Sequence, residues 1–343
     1  MYQESNLKQK AQIGVVVIGR NEGERVLRCL AHVESGCAVV YVDSGSVDGS
    51  PAAVRELGID VLELDPIRPF SAARARNEGW RHLLEMHKEN LQFIQFVDGD
   101  CELVSGWLSE ASAYLEHNPL IAGVTGRLRE KHPEVSIYNR LCDAEWDRPA
   151  GKIDAFGGIV MLRADALLKV NGYNADLVAG EEPELSHRIR AQGYQLWCLP
   201  REMAYHDAAM TQFSQWFTRS VRNGFGGAFL VGVLDAGSPD RRVWQRKLLS
   251  AWLWAVAAPI LVAGATLVEP WAILLGGVYL VQIARIAKSW HGQAAIAWPR
   301  AFFLVLAKWP ECWGQLTYWL SPSARSFDYK KSAVATSSVS AER

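Results

Sequence analysis

The sequence predicts an α/β fold with a mostly parallel sheet and helices on both faces, followed by a C-terminal helical membrane region. Short runs of β-branched residues alternate with helical segments from residue 13 onward. Two aspartates, Asp98 and Asp100, directly follow the fourth of these runs. Residues 248–268 contain no charged side chain, and about 20 apolar residues suffice for a membrane-spanning helix.

The first part of the chain predicts four strands separated by three helices. The strands are predicted at 13–18, 38–42, 60–64 and 91–97, and the helices at 22–35, from 51 onward and at 71–89. Ser50 is the predicted N-cap of the second helix, with Pro51 at its first position. A further strand is predicted from Gln195 to Pro200, continuing to Tyr205. Because β and α segments alternate, a sheet with helices on both faces is expected.

Length and composition set the domain organisation and exclude some classes of partner. A chain of 343 residues predicts about two domains, at roughly 150 residues each. We predict an α/β domain at 1–235, a membrane-associated helical region at 241–325 and a disordered tail at 326–343. The formal net charge of −1 offers no broad basic field, so no nucleic-acid partner is expected. The six cysteines form no CxxC pair, which argues against a zinc site and a disulfide framework.

The apolar residues of the C-terminal region predict a hairpin of two membrane helices, 248–268 and 271–287. Basic residues flank it, at 241–247 on one side and at Arg285 and Lys288 on the other. By the positive-inside rule both ends face the cytoplasm. The alternatives are a pair of buried helices in a soluble domain, and a second segment that is re-entrant.

Residues 299–320 are apolar and aromatic but carry two charges, Lys308 and Glu311, and Pro310 interrupts them. They predict an interfacial amphipathic helix or a third, kinked span. The N-terminal segment 1–12 is polar and lacks the apolar core of a signal peptide. The α/β domain is therefore expected on the cytoplasmic face of the inner membrane.

The aspartate pair after the fourth strand is the most informative site in the chain. Asp98 and Asp100 are separated only by Gly99, which lets the backbone approach a ligand closely. In open α/β sheets, ligands bind at the C-terminal ends of the strands. Two carboxylates supply the hard oxygen ligands that suit Mg²⁺ or Mn²⁺ carrying a diphosphate. The alternative is a solvated turn.

Further motifs occur in a fixed order along the chain. They are Ile13–Glu22, Val42–Gly49, Ala73–Gly79, Val97–Asp100, Phe156–Arg163, Asn171–Tyr173 and Gly180–Arg188. With these motifs, residues 12–230 resemble the family 2 glycosyltransferases, which have a GT-A-type three-layer α/β/α domain and use nucleotide-diphosphate sugars. The end of the chain is similar to bacterial membrane-associated members linked to surface polysaccharides.

The resemblance implies roles for the residues of the donor and metal sites. Asp100, assisted by Asp98, is expected to hold Mg²⁺ or Mn²⁺, and His206 to complete the metal site, unless it is structural. Asp43 is expected to bind the nucleoside, or else to cap its own turn. Arg76 is expected at the diphosphate or the donor sugar, with a helix-surface charge as the alternative; for Arg74 the surface position is preferred.

The remaining expected site residues are those of the donor-side turn, Asn21 and Glu22, and those of the acceptor side, Gly157, Gly158 and Glu181. Glu182 is the candidate catalytic base, because a carboxylate beside Glu181 should have a raised pKa. The alternative is an acidic cluster favoured by the helix dipole.

Three departures from the family pattern refine these expectations. The acceptor-side motif of the family ends in Glu-Asp, whereas here Glu182 replaces the aspartate. Ser44 replaces the second aspartate of the second-strand motif. Processive members carry Gln-x-x-Arg-Trp, which residues 215–220 only approximate, so a non-processive enzyme is expected.

The resemblance thus predicts a membrane-anchored inverting glycosyltransferase. It would move a sugar from a nucleotide-diphosphate sugar, first of all a UDP-sugar, to a lipid-linked glycan acceptor in surface polysaccharide or glycolipid synthesis. The alternatives are a polyprenyl-phosphate sugar synthase and a non-catalytic membrane scaffold of the same fold.

Overall fold

A computed structural model describes residues 12–87 and 90–320 of the chain. The strands are β1 (Ile13–Gly19), β2 (Ala38–Asp43), β3 (Asp60–Glu63), β4 (Phe93–Asp98), β5 (Cys101–Leu103), β6 (Ile121–Glu130), β7 (Gly151–Ile153), β8 (Val160–Arg163) and β9 (Gln195–His206). The helices among them are α1 (Glu24–Ala31), α2 (Ser50–Glu56), α3 (Ala72–His87), α4 (Trp107–His117), α5 (Ile137–Trp146), α6 (Ala164–Lys169) and α7 (Glu181–Ala191). The tail predicted at 326–343 lies outside the described residues.

The nine strands found in the described residues belong to one sheet, in the order β3-β2-β1-β4-β8-β6-β9-β5, with β7 paired to β9. The pairings β3–β2, β2–β1, β1–β4 and β6–β9 are parallel, and the other four are antiparallel. The predicted α/β class is therefore confirmed, but the sheet is mixed rather than mostly parallel. Its antiparallel strands β5, β7 and β8 span only three or four residues, too few to show a periodic pattern in the sequence.

The two faces of the sheet are both covered, which gives the domain three layers. Successive residues of β1 alternate between two hydrophobic clusters: Val15 and Val17 pack in one, and Val16 and Ile18 in the other. Helices α1 and α4 supply side chains to the first cluster, and α3 and α7 to the second. A strand buried on both faces explains why residues 13–18 are apolar without alternation.

The chain continues in a second set of helices. They are α8 (Phe213–Val233), α9 (Pro239–Trp252), a π-helical turn at Leu253–Ala257, α10 (Ala258–Val268), a 3₁₀ segment at Pro270–Gly277, α11 (Val278–Lys288), α12 (Ala294–Leu306) and α13 (Lys308–Leu320). Two continuous stretches, Pro239–Val268 and Pro270–Lys288, are long and apolar enough to cross a membrane, and only 6% of each apolar window is buried. The π-helical turn lies just before Pro259, whose ring disfavours regular α-helical hydrogen bonding there.

Residues 299–320 do not form a single helix. They lie in two helices of 13 residues each, both shorter than the ~20 residues needed to cross a bilayer. The interfacial helix and the third, kinked span both stay predictions for this segment. The predicted break at Pro310 is wrong: the chain breaks at Ala307, and Pro310 lies in the first turn of α13, where its missing N–H costs no hydrogen bond.

Helix α13 packs directly against α8, backbone to backbone. A Cβ atom on Gly224 of α8 would clash with the carbonyl oxygen of Glu311, and a Cβ atom on Gly314 of α13 with that of Val221. Only glycine permits this approach at both positions. The contact joins the C-terminal helices to the helix that directly follows the α/β domain.

Candidate active site

The C-terminal ends of β1, β2 and β4 bring the predicted donor-side residues to one edge of the sheet. In the parallel register Gly19 pairs with Asp43, and Ile18 pairs with Asp98. The turn after β1, which carries Asn21, therefore lies between the ends of the two neighbouring strands. Ligands of open α/β sheets bind at such edges.

Asn21 and Glu22 lie in the turn after β1, and Asn21 ties it to the turn after β2. The backbone of Asn21 has a positive φ of 55°, and its N–H donates to Ser46 Oγ at 2.8 Å. Its side-chain oxygen accepts from the Val47 N–H at 2.8 Å. Glu22 pairs with Arg25 at 2.8 Å. Their roles toward a donor stay predictions, since these contacts are within the protein.

Asp43 is almost fully buried, and both of its carboxylate oxygens accept hydrogen bonds from neighbouring residues of its own strand and turn. Oδ2 accepts from the N–H groups of Gly45 at 2.9 Å and Ser46 at 2.8 Å. Oδ1 accepts from the hydroxyls of Tyr41 at 3.0 Å and Ser46 at 2.5 Å. This arrangement is the turn-capping alternative, and a nucleoside would have to replace one of these donors to bind Asp43.

Arg76 is the centre of the site. It lies on α3 but is only 2% exposed, so it is not a helix-surface charge. Its Nη2 is 3.0 Å from Asp98 Oδ1, and its Nη1 is 3.2 Å from Glu181 Oε1 and 3.3 Å from Glu182 Oε1. One guanidinium thus faces three carboxylates from two separate parts of the chain, and it links the end of β4 to the start of α7.

Glu182 has the raised pKa that is expected of a proton acceptor. Burial and the charge of Glu181 raise its pKa, the charge of Arg76 opposes them, and the result is a pKa of about 7. The carboxylate lies in the first turn of α7, where the helix dipole favours negative charge. A base with a pKa near neutrality is suited to general base catalysis. The catalytic role of Glu182 stays a prediction.

Asp100 and His206 form a second cluster beside the first. Cys101 pairs with His206 across β5 and β9, which sets Asp100 Oδ2 3.3 Å from His206 Nε2. Burial disfavours the charge of Asp100, but the positive charge and the hydrogen bond of the protonated His206 ring outweigh it and lower the carboxyl pKa to about 2. Asp98 lies outside this cluster, because its carboxylate is paired with Arg76.

The potential metal-ligand atoms of this cluster suit a divalent cation. Asp100, Cys101 and His206 place potential ligand atoms within 4.8 Å of one another. Burial and the nearby Asp100 raise the pKa of the Cys101 thiol well above its usual value, so the thiol stays protonated and is a poor ligand. A carboxylate oxygen and an imidazole nitrogen remain, and the buried Nδ1 of His206 has no hydrogen-bond partner among the described residues. Carboxylate and imidazole together are compatible with Mn²⁺.

The two glycines predicted for the acceptor side differ in their surroundings. A Cβ atom on Gly158 would lie 2.7 Å from Asp98 Oδ2 and 2.8 Å from Arg76 Nη2, so this position needs glycine for the ion pair to form. A Cβ atom on Gly157 would meet nothing within 4 Å. Gly158 therefore shapes the carboxylate cluster itself, and the acceptor roles of both glycines stay predictions.

Two other sequence-based expectations need correction. Arg74 is buried, and its Nη1 donates to the carbonyl oxygens of Asp65 at 2.9 Å and Arg68 at 2.8 Å, so it holds a loop and is not a surface charge. Ser50 is not the N-cap of α2: Gly49 occupies the N-cap position in the left-handed region, and Ser50 Oγ donates to Asp48 at 2.6 Å.

Sequence reasoning missed several contacts around the site. The ring of Trp146 stacks on His206 with centroids 4.5 Å apart. Arg129 makes a two-pronged pair with Asp143 at 2.7 and 2.9 Å. Tyr173 lies under the Arg76 guanidinium, 5.5 Å from ring centroid to Cζ. These partners are far apart in sequence, and no local pattern marks them.

A match to a known family covers part of this site. The sequence model of the family described as Glycosyl transferase family 2 matches residues 14–156. Residues 14–156 are thus similar to a family 2 glycosyltransferase domain. The matched residues include Asp43, Arg76, Asp98 and Asp100, while Glu182 and His206 lie beyond them.

Two curated relatives are similar to part of this chain. A TPR repeat-containing protein of Synechococcus elongatus is 29% identical over 140 residues, which are 40% of this chain and 32% of the relative. The pre-mycofactocin glycosyltransferase of Mycobacterium tuberculosis is 25% identical over 257 residues, covering 70% of this chain and 52% of the relative. The chain thus spans about a third of the first and half of the second.

A solved structure shares the fold of the family 2 domain and the helices that follow. The mannosyltransferase PcManGT from Pyrobaculum calidifontis, in complex with GDP-Man and Mn²⁺, superimposes with a TM-score of 0.57 at 16% identity. The match covers 90% of this chain and 87% of that one. This likeness confirms the GT-A-type domain that the sequence predicts.

Proposed function

We propose that the chain is a membrane-anchored inverting glycosyltransferase. It would move a sugar from a nucleotide-diphosphate sugar, first of all a UDP-sugar, to a lipid-linked glycan acceptor in surface polysaccharide or glycolipid synthesis. The observation that carries the proposal is the cluster in which Arg76 links Asp98, at the donor end of the family 2 domain, to Glu182. It supports a site where donor and acceptor meet beside two carboxylates that one guanidinium holds together.

Glu182 would accept the proton of the acceptor hydroxyl as that oxygen attacks the anomeric carbon. Its pKa of about 7 leaves it largely ionised above neutral pH and basic enough to take a proton in the transition state. One base and one displacement invert the anomeric centre. Arg76 holds Glu182 Oε1 at 3.3 Å and so fixes the direction from which the proton is taken.

Asp100 and His206 are the residues that would hold Mg²⁺ or Mn²⁺. A cation bound there would stabilise the negative charge that develops on the leaving diphosphate. The positive charge of the His206 ring lowers the pKa of this carboxylate, and a bound cation would favour its ionised form in the same way. The imidazole beside it gives the pair a nitrogen ligand, and the mannosyltransferase of similar fold was solved with Mn²⁺.

A panel of nucleotide sugars tests the enzymatic proposal. The full chain, purified in detergent, is incubated with UDP-, GDP- and dTDP-sugars, with a membrane lipid extract as acceptor source and with Mn²⁺, Mg²⁺ or EDTA. We expect nucleotide release from one donor class, and its loss in EDTA. Release that EDTA leaves unchanged would contradict the metal site. No release from any donor would favour the scaffold alternative.

The apolar helices support attachment to a membrane. Only 6% of the most apolar window is buried in each of the stretches Pro239–Val268 and Pro270–Lys288, and Leu261 and Leu274 are 70% and 72% exposed. Basic residues lie at both outer ends, and the positive-inside rule then favours both ends on the same side of the membrane. We propose that the α/β domain faces the cytoplasm at the inner membrane, where a lipid-linked acceptor is held close to it.

Membrane attachment predicts that the full chain stays with the membrane pellet after an alkaline carbonate wash. Replacing both Leu261 and Leu274 by Asp should move it to the supernatant, because each change costs about 3 kcal/mol at the centre of a bilayer. The control is Val47→Asp, which charges an apolar side chain that is 91% exposed outside the helical region. Wild-type protein in the supernatant would contradict the anchor.

A further inference from the structure

The ring of His206 is held by stacking where a hydrogen bond is usual. A metal-binding histidine normally donates its second ring N–H to a carboxylate or carbonyl, which fixes the ring plane. Here Nε2 lies 3.3 Å from Asp100 Oδ2, while the buried Nδ1 has no hydrogen-bond partner among the described residues. The indole of Trp146 instead covers the imidazole, with centroids 4.5 Å apart and ring planes 18° apart.

Trp146 is itself fixed from two sides. It packs on the cluster formed by Cys142 and Met210. The preceding residue, Glu145, makes a two-pronged ion pair with Arg219 at 2.8 and 3.0 Å. Because Arg219 belongs to α8, this pair ties the end of α5 to the helix that carries the C-terminal region. The indole plane is therefore set by the surrounding structure and not by His206 alone.

We propose that Trp146 is the positioning residue of the metal site, holding the His206 imidazole in the plane that a cation shared with Asp100 requires. The inference rests on the metal site of the proposed function. Stacking restricts rotation of the imidazole about its bond to Cβ, and it excludes water from one ring face. Without the stacked indole, the cation itself would have to restrict the rotation of the imidazole. This entropic cost would weaken cation binding.

Binding of Mn²⁺ alone tests the proposal without any turnover. Free Mn²⁺ is measured by its electron paramagnetic resonance signal while it is titrated with the full-length protein. We expect Trp146→Ala to raise the Kd for Mn²⁺ by about 10- to 100-fold, the usual cost of losing a group that orients a ligand. Trp146→Phe keeps a stacked ring and should stay within about threefold of the wild type.

Two further variants separate positioning from folding and from the metal site itself. Trp146→Leu fills the apolar site without a flat ring; it should be folded by circular dichroism and still bind Mn²⁺ weakly. Trp298→Ala, at an exposed tryptophan, should bind like the wild type. Wild-type affinity in a folded Trp146→Leu variant would overturn the positioning role. Equal binding by the wild type and Asp100→Ala would instead overturn the metal site.

Discussion

Replacing Glu182 by Gln should lower the rate of sugar transfer by about 10²- to 10⁴-fold, the range that general base catalysis contributes. The amide keeps the size of the side chain and can still meet Arg76, but it cannot take the acceptor proton. Transfer is measured as sugar incorporated into the lipid fraction, in saturating donor. We expect the loss to appear in kcat, since the carboxylate acts at the reacting hydroxyl.

The pH dependence of the wild type should report the same group. Because burial and Glu181 raise the pKa of Glu182 to about 7, kcat should fall below that pH and approach a tenfold loss per pH unit. The Glu182→Asp variant serves as the matched control, since it restores a carboxylate one methylene shorter. It should retain part of the activity and an acid limb in its pH profile, whereas the residual rate of Glu182→Gln should lack that limb.

Thermal unfolding tests whether the Gln variant loses activity because it lacks the base or because it is less stable. The pKa of Glu182 is raised in the folded state, so folding favours its protonated form, and the charge destabilises the fold as pH rises from about 4.5 towards 7. A neutral Gln removes that penalty. At pH 8 the Gln variant should therefore melt no lower than the wild type. Full transfer activity in this variant would overturn Glu182 as base and favour a polyprenyl-phosphate acceptor, which is already an anion.

Local patterns in the sequence predicted the site's chemistry better than its contacts. Asp98 and Asp100 were found because they directly follow an apolar strand, and strand ends are where parallel sheets bind ligands. Arg76 pairs with Glu182, more than a hundred residues away, and the helices that carry them, α3 and α7, pack in the same hydrophobic cluster. No pattern in a single sequence shows which elements become neighbours in the fold. The sequence therefore predicts a diphosphate role for Arg76 but not its carboxylate partners.

The burial of two arginines on α3 is a second feature that the sequence pattern does not predict. Arg74 and Arg76 are two positions apart, and the sequence assigned the first to the surface and the second to the site. Both are buried, because the start of α3 is covered by the loop at 65–70 on one side and by the carboxylates on the other. Loop coverage is a tertiary contact, which helical periodicity cannot reveal.

Removing the carboxylate of Asp100 should abolish the metal dependence of the reaction. We expect Asp100→Ala to reduce nucleotide release by about 10³-fold or more, because charge stabilisation by a bound cation contributes several kcal/mol and each 1.36 kcal/mol is tenfold in rate. Added Mn²⁺ or Mg²⁺ should no longer raise the residual rate. Nucleotide release is measured across a range of metal concentrations, at a pH above 7 where Glu182 is ionised.

The control for Asp100→Ala is Glu56→Ala, which removes an exposed carboxylate from α2 and should leave the metal response unchanged. A second comparison uses Asp98, whose carboxylate pairs with Arg76 rather than with His206. Asp98→Asn should lower the rate but keep its rise with added Mn²⁺, because the Asp100–His206 pair is intact. If Asp100→Ala kept the wild-type response to Mn²⁺ while Asp98→Asn lost it, the cation would belong with Asp98, and the pairing of Arg76 and Asp98 would have to open when the donor binds.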